Sequence, residues 1–181
     1  SEVLILNIIA STGSLSEFYK QLCWALDLDV RGTGGANLVR TIKSTVREIA
    51  SSKKQKILLV IDEAHLLRAD VFMELHTLTQ FDNDSKNLIG IVFSGQANLL
   101  DKLTYRTSAS MASRVICKSH LNSIERSQME EYLTHHIRYG GLKKNLFTES
   151  AITAIHQGSG GLLRKANSLA KGGLIGAAKE K

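Results

Sequence analysis

The sequence predicts a three-layer α/β core with a parallel sheet, followed by a small helical bundle. Apolar runs rich in β-branched residues alternate with amphipathic helical patterns up to residue 121. Because strands that alternate with helices favour parallel pairing, we expect helices on both faces of the sheet. After residue 121 only helical patterns with glycine stops follow. We therefore predict a core at 1–121 and a helical subdomain at 122–181.

Each element of the core has its own pattern. "VLILNII" at 3–9 is continuous and predicts a fully buried strand. Ser14 and Glu17 form a capping-box pattern at the start of the first helix, and "RGTGGAN" at 31–37 predicts a turn. Apolar periodicity then predicts the remaining elements, which are helices at 38–51, 71–78 and 97–103 and strands at 56–62, 87–95 and 114–121.

The subdomain contains three helical stretches, the last of them weakened by Gly172, Gly173 and Gly176. His135 and His136 lie in the first stretch. Adjacent residues point to different sides of a helix, which favours a surface role over a metal site.

Composition and charge limit the class of protein. The 181 residues carry a net charge of +6, which fits either a solvated basic surface or contact with nucleic acid. No apolar run approaches the roughly 20 residues of a membrane span, and the first residues lack the basic region of a signal peptide. Cys23 and Cys117 have neither metal nor redox spacing. We interpret both as small buried side chains in a reducing compartment, and expect a cytoplasmic protein.

The run "ILLVIDEAHLL" at 57–67 is the strongest chemical signal. Four or more apolar residues lead directly into Asp62 and Glu63. Open α/β sheets bind their ligands at the carboxyl ends of the strands, so this pair is placed for a magnesium–nucleotide site. Asp62 would hold Mg²⁺ through water, and Glu63 would orient an attacking water molecule. The alternative is a pair of solvated acids at a strand–loop junction.

"DEAH" also spells a helicase box, which is a rival enzyme class. In that family the strand after the box ends in Ser-Ala-Thr, whereas this one ends in "VFSGQ". The sequence also has no second core with a Gln-x-x-Gly-Arg-x-x-Arg element. The helicase interpretation is therefore disfavoured.

The order of motifs resembles an AAA+ ATPase of the ExeA-like group, which includes general secretion pathway protein A-like ATPases and the TniB- or TnsC-like ATPases encoded beside transposases. "ILLVIDEAHLL" resembles the Walker B strand, and "GIVFSGQANLLDKL" resembles the next strand and its helix. "SRVICKSHLNSIERSQMEEYLTHHIRYGG" resembles the arginine-finger segment that runs into the lid. "LFTESAITAIHQGSGGLLRKANSLA" resembles the later lid helices. The resemblance implies a P-loop NTPase-like core with a helical lid, using ATP and Mg²⁺.

The resemblance also implies roles for single residues. Asp62 would serve the metal and Glu63 would activate water, while Gln96 or Ser94 would act as sensor 1. Arg114, in "ASRV", falls at the arginine finger that reaches a neighbouring subunit's nucleotide. Arg164, in "GGLLRKAN", falls at sensor 2. Leu163, the residue before it, stands where the family usually has proline. For these two arginines the alternatives are a structural ion pair and a solvated helix start, respectively.

One expected part does not occur in these residues. A phosphate-binding loop reads G-x-x-x-x-G-K-[ST], and no such run occurs here. In the family, this loop precedes the segment that "VLILNIIASTGSLSEFY" resembles. The sheet order in the family is 5-1-4-3-2, with the P-loop strand in the interior. We expect a removed segment, a second chain that fills the gap, or strands that pair differently.

The sequence thus predicts the Walker B, sensor and lid portion of an AAA+ ATP hydrolase that works by ATP-switched assembly of a homo-oligomer. Its partners would be double-stranded DNA and a transposase, or a secretion-pathway protein. The basic charge favours the DNA setting. The alternative is a non-catalytic interaction or DNA-binding domain that has lost nucleotide binding.

Overall fold

The computed structural model describes residues 2–29, 34–82 and 85–179, and the chain divides into two compact units, 1–117 and 118–181. The first unit contains three strands, five helices and two short 3-10 turns among its described residues. In chain order these are β1 (Val3–Ile9), α1 (Leu15–Ala25), α2 (Gly35–Ser52), β2 (Lys56–Asp62), a 3-10 turn (Ala64–Leu66), α3 (Ala69–Thr79), β3 (Ile89–Phe93), α4 (Asn98–Thr104), a 3-10 turn (Arg106–Ser108) and α5 (Ala109–Ala112). The second unit contains α6 (Arg126–Tyr139), α7 (Glu149–Ser159) and α8 (Leu163–Lys179).

The three strands form one parallel sheet in the order β1-β2-β3. Val3 lies opposite Lys56, and Ile57 lies opposite Ile89. Parallel neighbours need long crossover connections, and the helices between the strands supply them. The α/β fold class predicted from the sequence is confirmed.

One face of the sheet carries the core of the first unit. Along β1 and β2 every second side chain is buried, as the two-residue period of a strand requires. The apolar faces of the first three helices pack on it. The buried side chains of this core include Leu6, Ile8, Ile57, Leu59, Ile61, Phe18, Leu22, Leu38, Ile42, Val46, Val71, Phe72 and Leu75.

The opposite face of the sheet is largely apolar and partly exposed among the described residues. Val3 is 52% exposed, Ile5 56%, Ile9 71% and Val92 44%. The prediction of a fully buried first strand is wrong for the residues the structure describes. The physical reason is that all the helices of the first unit contribute to a single core on the face of Leu6 and Ile8.

Two predictions near the end of the first unit are also wrong. Residues 114–121 form no strand, and Ile116 and Leu121 are almost fully exposed. Cys117 lies in this exposed segment, whereas Cys23 is buried as predicted. β-branched composition alone does not make a strand when no neighbouring strand pairs with it.

Helix boundaries follow local capping chemistry. The hydroxyl of Ser14 accepts a hydrogen bond from the backbone N–H of Glu17 at 3.3 Å, which confirms the predicted N-cap of α1. The predicted turn at 31–37 falls partly outside the described residues, and α2 already begins at Gly35.

The second unit has its own small core, formed by one face of each helix. Glu125 and Gln128 form a capping box at the start of α6, and Thr148 caps α7. Gly160 ends α7 in the left-handed conformation that glycine accepts readily. The buried side chains of this core are Met129, Leu133, Ile152, Ile155, Ala166 and Ala170. Among the described residues of the whole chain, no helix is long and apolar enough to cross a membrane.

Candidate nucleotide site

The carboxyl ends of β2 and β3 are joined beyond the strands themselves. The backbone N–H of Ser94 donates to the carbonyl oxygen of Ile61 at 2.9 Å, and the N–H of Ala64 donates to the carbonyl oxygen of Ser94 at 2.8 Å. Ser94 therefore bonds on both sides of the Asp62–Glu63 pair. These bonds fix the backbone that carries the two carboxylates relative to the loop that follows β3.

Asp62 ends the strand with its side chain exposed at the edge of the sheet. Its Oδ1 accepts the backbone N–H of Glu63 at 2.9 Å, and its carbonyl oxygen accepts the N–H of Ala10 at 2.8 Å. The backbone of Asp62 is thus fixed from β1, and its carboxylate points out of the core.

Glu63 adopts a left-handed backbone conformation, with φ of 52° and ψ of 30°. Residues other than glycine, asparagine and aspartate rarely adopt it, and it costs on the order of 1 kcal/mol. The conformation turns the chain sharply from the strand into the 3-10 turn at 64–66. It leaves the Glu63 side chain 46% exposed.

The buried side chain of His65 lies between the loop after β2 and the loop after β3. Its ring is buried, with 8% of the side chain exposed. Nδ1 of His65 lies 3.3 Å from Oε2 of Glu63 and 3.4 Å from the backbone nitrogen of Gln96. Sequence reasoning assigned no role to His65. The only signal for it was a histidine two residues after the carboxylate pair.

The structure brings together four of the predicted site residues, Asp62, Glu63, Ser94 and Gln96, at the carboxyl edge of the sheet. Arg114 follows α5 in the same unit, where its backbone N–H donates to Met111 at 3.0 Å. Arg164 is the second residue of α8 in the other unit and is exposed. The functions of all six residues stay predictions.

The donor set at this edge suits magnesium only together with a nucleotide. Asp62 offers a carboxylate, and no group of three or more metal-binding side chains occurs in the part of the chain that the structure describes. Mg²⁺ in such sites is held by one or two carboxylates plus substrate phosphates and water. The residues present therefore fit a cation that arrives with a phosphate ligand.

A family profile described as an AAA domain matches residues 1–103, which include the whole sheet and the four clustered site residues. The chain belongs to the AAA+ ATPase family. The ExeA-like resemblance is confirmed by 29% identity over 129 residues to general secretion pathway protein A of Aeromonas hydrophila. That match covers 71% of this AAA+ chain but 23% of the relative's length.

Two solved structures share the fold of this AAA+ chain. The crystal structure of Cdc6p from Pyrobaculum aerophilum superposes with a TM-score of 0.59 at 17% identity, covering 86% of this chain and 40% of that one. The ADP form of the ORC2 protein from Aeropyrum pernix gives a TM-score of 0.62 at 15% identity. The match covers 85% of this chain and 41% of the ORC2 chain. At these identities the likeness concerns the fold alone.

Proposed function

We propose that this chain supplies the Walker B, sensor 1 and lid portion of an ATP-hydrolysing AAA+ protein. The observation that supports it is the pair of backbone hydrogen bonds by which Ser94 encloses Asp62 and Glu63. This arrangement holds a carboxylate pair and a polar loop at the ligand-binding edge of a parallel sheet. Family membership supplies the reaction class.

In this proposal each residue has a separate task. Asp62 holds Mg²⁺, which would neutralise charge on the phosphates. Glu63 takes a proton from the attacking water, and its side chain is exposed enough for water to reach the carboxylate. The amide of Gln96 or the hydroxyl of Ser94 contacts the terminal phosphate and reports its presence.

The open sheet face supports a further part of the proposal. Among the described residues β3 pairs with β2 alone, and the face that carries Ile5 and Val92 is largely apolar. In the family order 5-1-4-3-2, β1, β2 and β3 of this chain correspond to family strands 2, 3 and 4. The P-loop strand, which is family strand 1, would then lie next to β3. We propose that a segment carrying the phosphate-binding loop adds this strand and covers this face.

A comparison of two lengths of protein tests the proposal. The 181-residue chain should show no tight Mg-ATP binding by calorimetry, because backbone N–H groups and a lysine of the P-loop supply most phosphate affinity. The chain joined to its P-loop-bearing segment should bind and hydrolyse Mg-ATP. In that longer protein Glu63→Gln should keep binding and lose hydrolysis, whereas Asp62→Asn should weaken both.

Two results would contradict this account. Micromolar Mg-ATP binding by the 181-residue chain would mean that it contains a phosphate site of its own. Failure of the longer protein to bind Mg-ATP would favour the second candidate, a non-catalytic interaction domain.

The two arginines extend the proposal to an assembly of subunits. Arg114 would reach the nucleotide of a neighbouring AAA+ subunit, and Arg164 would contact nucleotide within its own subunit. Both guanidinium groups would stabilise charge that develops on the transferring phosphoryl group. ATP would then favour the assembled state, which is how the protein would act on a partner.

The distribution of charge favours DNA as the ligand of the assembly. Residues 118–181 contain ten basic side chains (Lys and Arg) and five acidic ones (Asp and Glu), a net charge of +5. Residues 1–117 contain thirteen basic and twelve acidic side chains, a net charge of +1. The net charge of +6 is therefore concentrated in the smaller unit. We propose a transposition-linked role in which this unit contacts the phosphates of duplex DNA. A secretion-pathway role, suggested by the name of the Aeromonas relative, is the competing setting.

A further inference from the structure

We infer that His65 is a positioning residue that couples the base Glu63 to the loop carrying Gln96, an inference that rests on the proposed ATP hydrolysis. The same ring nitrogen of His65, Nδ1, is near both the Glu63 carboxylate and the backbone N–H of Gln96. It lies 3.3 Å from the Glu63 carboxylate and 3.4 Å from the backbone nitrogen of Gln96.

One imidazole nitrogen can serve only one of these partners at a time. If Nδ1 of a neutral ring carries the proton, it donates to the carboxylate of Glu63. If the proton is on Nε2, Nδ1 presents a lone pair that accepts the N–H of Gln96. The exchange moves one proton from Nδ1 to Nε2 through solvent, and the net charge of the protein does not change.

The two states have different consequences for Glu63. When Nδ1 accepts from Gln96, His65 donates nothing to the carboxylate, which is then available to take a proton from water. When the loop after β3 withdraws, Nδ1–H binds the carboxylate and holds it against the protein. The position of Gln96, the residue proposed to sense phosphate, is thereby transmitted to the base.

The surroundings of His65 keep this coupling short-range and rigid. A Cβ atom on Gly95 would lie 3.1 Å from the His65 backbone nitrogen and 3.3 Å from Nδ1, so the loop rests directly on the histidine. Nζ of Lys102, on α4, donates to the carbonyl oxygen of Leu67 at 2.8 Å and anchors the other end of the segment. A small shift of the loop therefore changes the distance to Nδ1.

The first experiment uses the 181-residue chain and requires no nucleotide. Imidazole ¹⁵N shifts of His65 are measured by NMR at about pH 8, where free imidazole is neutral, in the wild type and in Glu63→Gly. Glycine fits the left-handed backbone and removes the carboxylate. We expect the fraction of Nδ1–H tautomer to fall and hydrogen exchange of the Gln96 amide to slow.

His156, whose Nε2 lies 3.0 Å from the Ile124 carbonyl oxygen in the second unit, is the internal control. Unchanged His65 shifts in Glu63→Gly would overturn the inference.

The second experiment measures hydrolysis in the longer protein that carries the P-loop. His65→Asn keeps a hydrogen-bonding group near the position of Nδ1, and His65→Leu removes it at similar size. We expect His65→Leu to lower kcat at least about tenfold with little change in KM, and His65→Asn to recover most of that loss. Equal kcat in His65→Leu and the wild type would refute the coupling. If the longer protein hydrolyses no ATP at all, the proposed function fails, and the NMR result still decides whether His65 links the two loops.

Discussion

Gly95 packs directly against His65. A Cβ atom at position 95 would lie 3.1 Å from the His65 backbone nitrogen and 3.3 Å from the nitrogen of Ala64, closer than side chains normally approach backbone atoms. The absence of a side chain at residue 95 therefore lets the loop after β3 approach the backbone of the carboxylate pair closely.

This contact predicts different effects for two glycines of the same strand–loop unit. Gly95→Ala should lower the free energy of unfolding by about 1–3 kcal/mol, because backbone atoms must move. Gly90→Ala is the matched control, since its Cβ would meet the flexible end of Leu58 at 3.3 Å and otherwise make only an ordinary van der Waals contact with the Ile57 carbonyl oxygen at 3.9 Å. Its stability should stay the same or rise by about 0.5 kcal/mol. Denaturant unfolding measures both, and equal effects would contradict the packing argument.

The open sheet face predicts self-association of the 181-residue chain. An exposed apolar sheet face tends to associate with other copies when nothing covers it. The double variant Ile5→Thr, Val92→Thr should sediment with less oligomer and keep its melting temperature, because threonine suits a strand. Leu6→Thr, on the buried face of β1, is the control and should destabilise by roughly 2 kcal/mol or more. A wild-type chain that is monomeric at all concentrations would show that the face does not associate.

The concentration of charge in residues 118–181 predicts where DNA binds. Fluorescence anisotropy with a random-sequence duplex should show binding that weakens steeply with salt. Replacing the exposed Lys143, Lys144, Lys165 and Lys171 by alanine should reduce the affinity and the salt slope together.

A variant with four alanines at the exposed Lys20, Lys53, Lys54 and Lys56, in the first unit, removes the same charge as a control and should bind almost as well as the wild type. No binding at low salt would exclude the transposition setting. Equal loss in the two variants would mean that binding follows total charge rather than the second unit.

A mixing experiment tests the shared site proposed for Arg114. In the longer protein with its P-loop, Arg114→Ala and Glu63→Gln should each lower kcat by roughly a thousandfold. If the arginine acts on a neighbour's nucleotide, mixed subunits should regain activity that neither variant has alone. Full activity of Arg114→Ala by itself would disprove the assignment.

A buried tyrosine predicts how stability depends on pH. The hydroxyl of Tyr19, on α1, donates to Oε2 of Glu74, on α3, at 2.7 Å. Burial, and then the hydrogen bond and the charge of Glu74, raise the pKa of Tyr19 far above its usual range. The neutral phenol of Tyr19 is therefore favoured in the folded state. Its contribution to the free energy of unfolding is fully present below the unfolded pKa near 10 and is lost progressively as pH rises above that value.

We expect Tyr19→Phe to lower the free energy of unfolding by about 1 kcal/mol at neutral pH. The wild type should lose stability from about pH 10 upward, and Tyr19→Phe should lose less over the same range. Thermal unfolding between pH 7 and 11 measures the difference. Parallel curves for the two proteins would mean that the pair does not set the pKa of Tyr19.

The sequence by itself determined the fold class, the strand at 56–62 and most helices. Their signals are local: an unbroken apolar run, a three- to four-residue spacing, or a capping residue such as Ser14. Asp62 and Glu63 were found for the same reason, because a charged pair directly after a buried run is visible in the chain itself.

The tertiary structure alone decided the features that depend on partners distant in sequence. Residues 114–121 have strand composition but no strand beside them. Both faces of β1 carry large apolar side chains, although Asn7 lies on the face of Ile5, and the packing of the helices on the face of Leu6 buries that one. His65 gained its place between Glu63 and Gln96 because the parallel pairing of β2 with β3 brings residues 31 positions apart in the chain within hydrogen-bond distance.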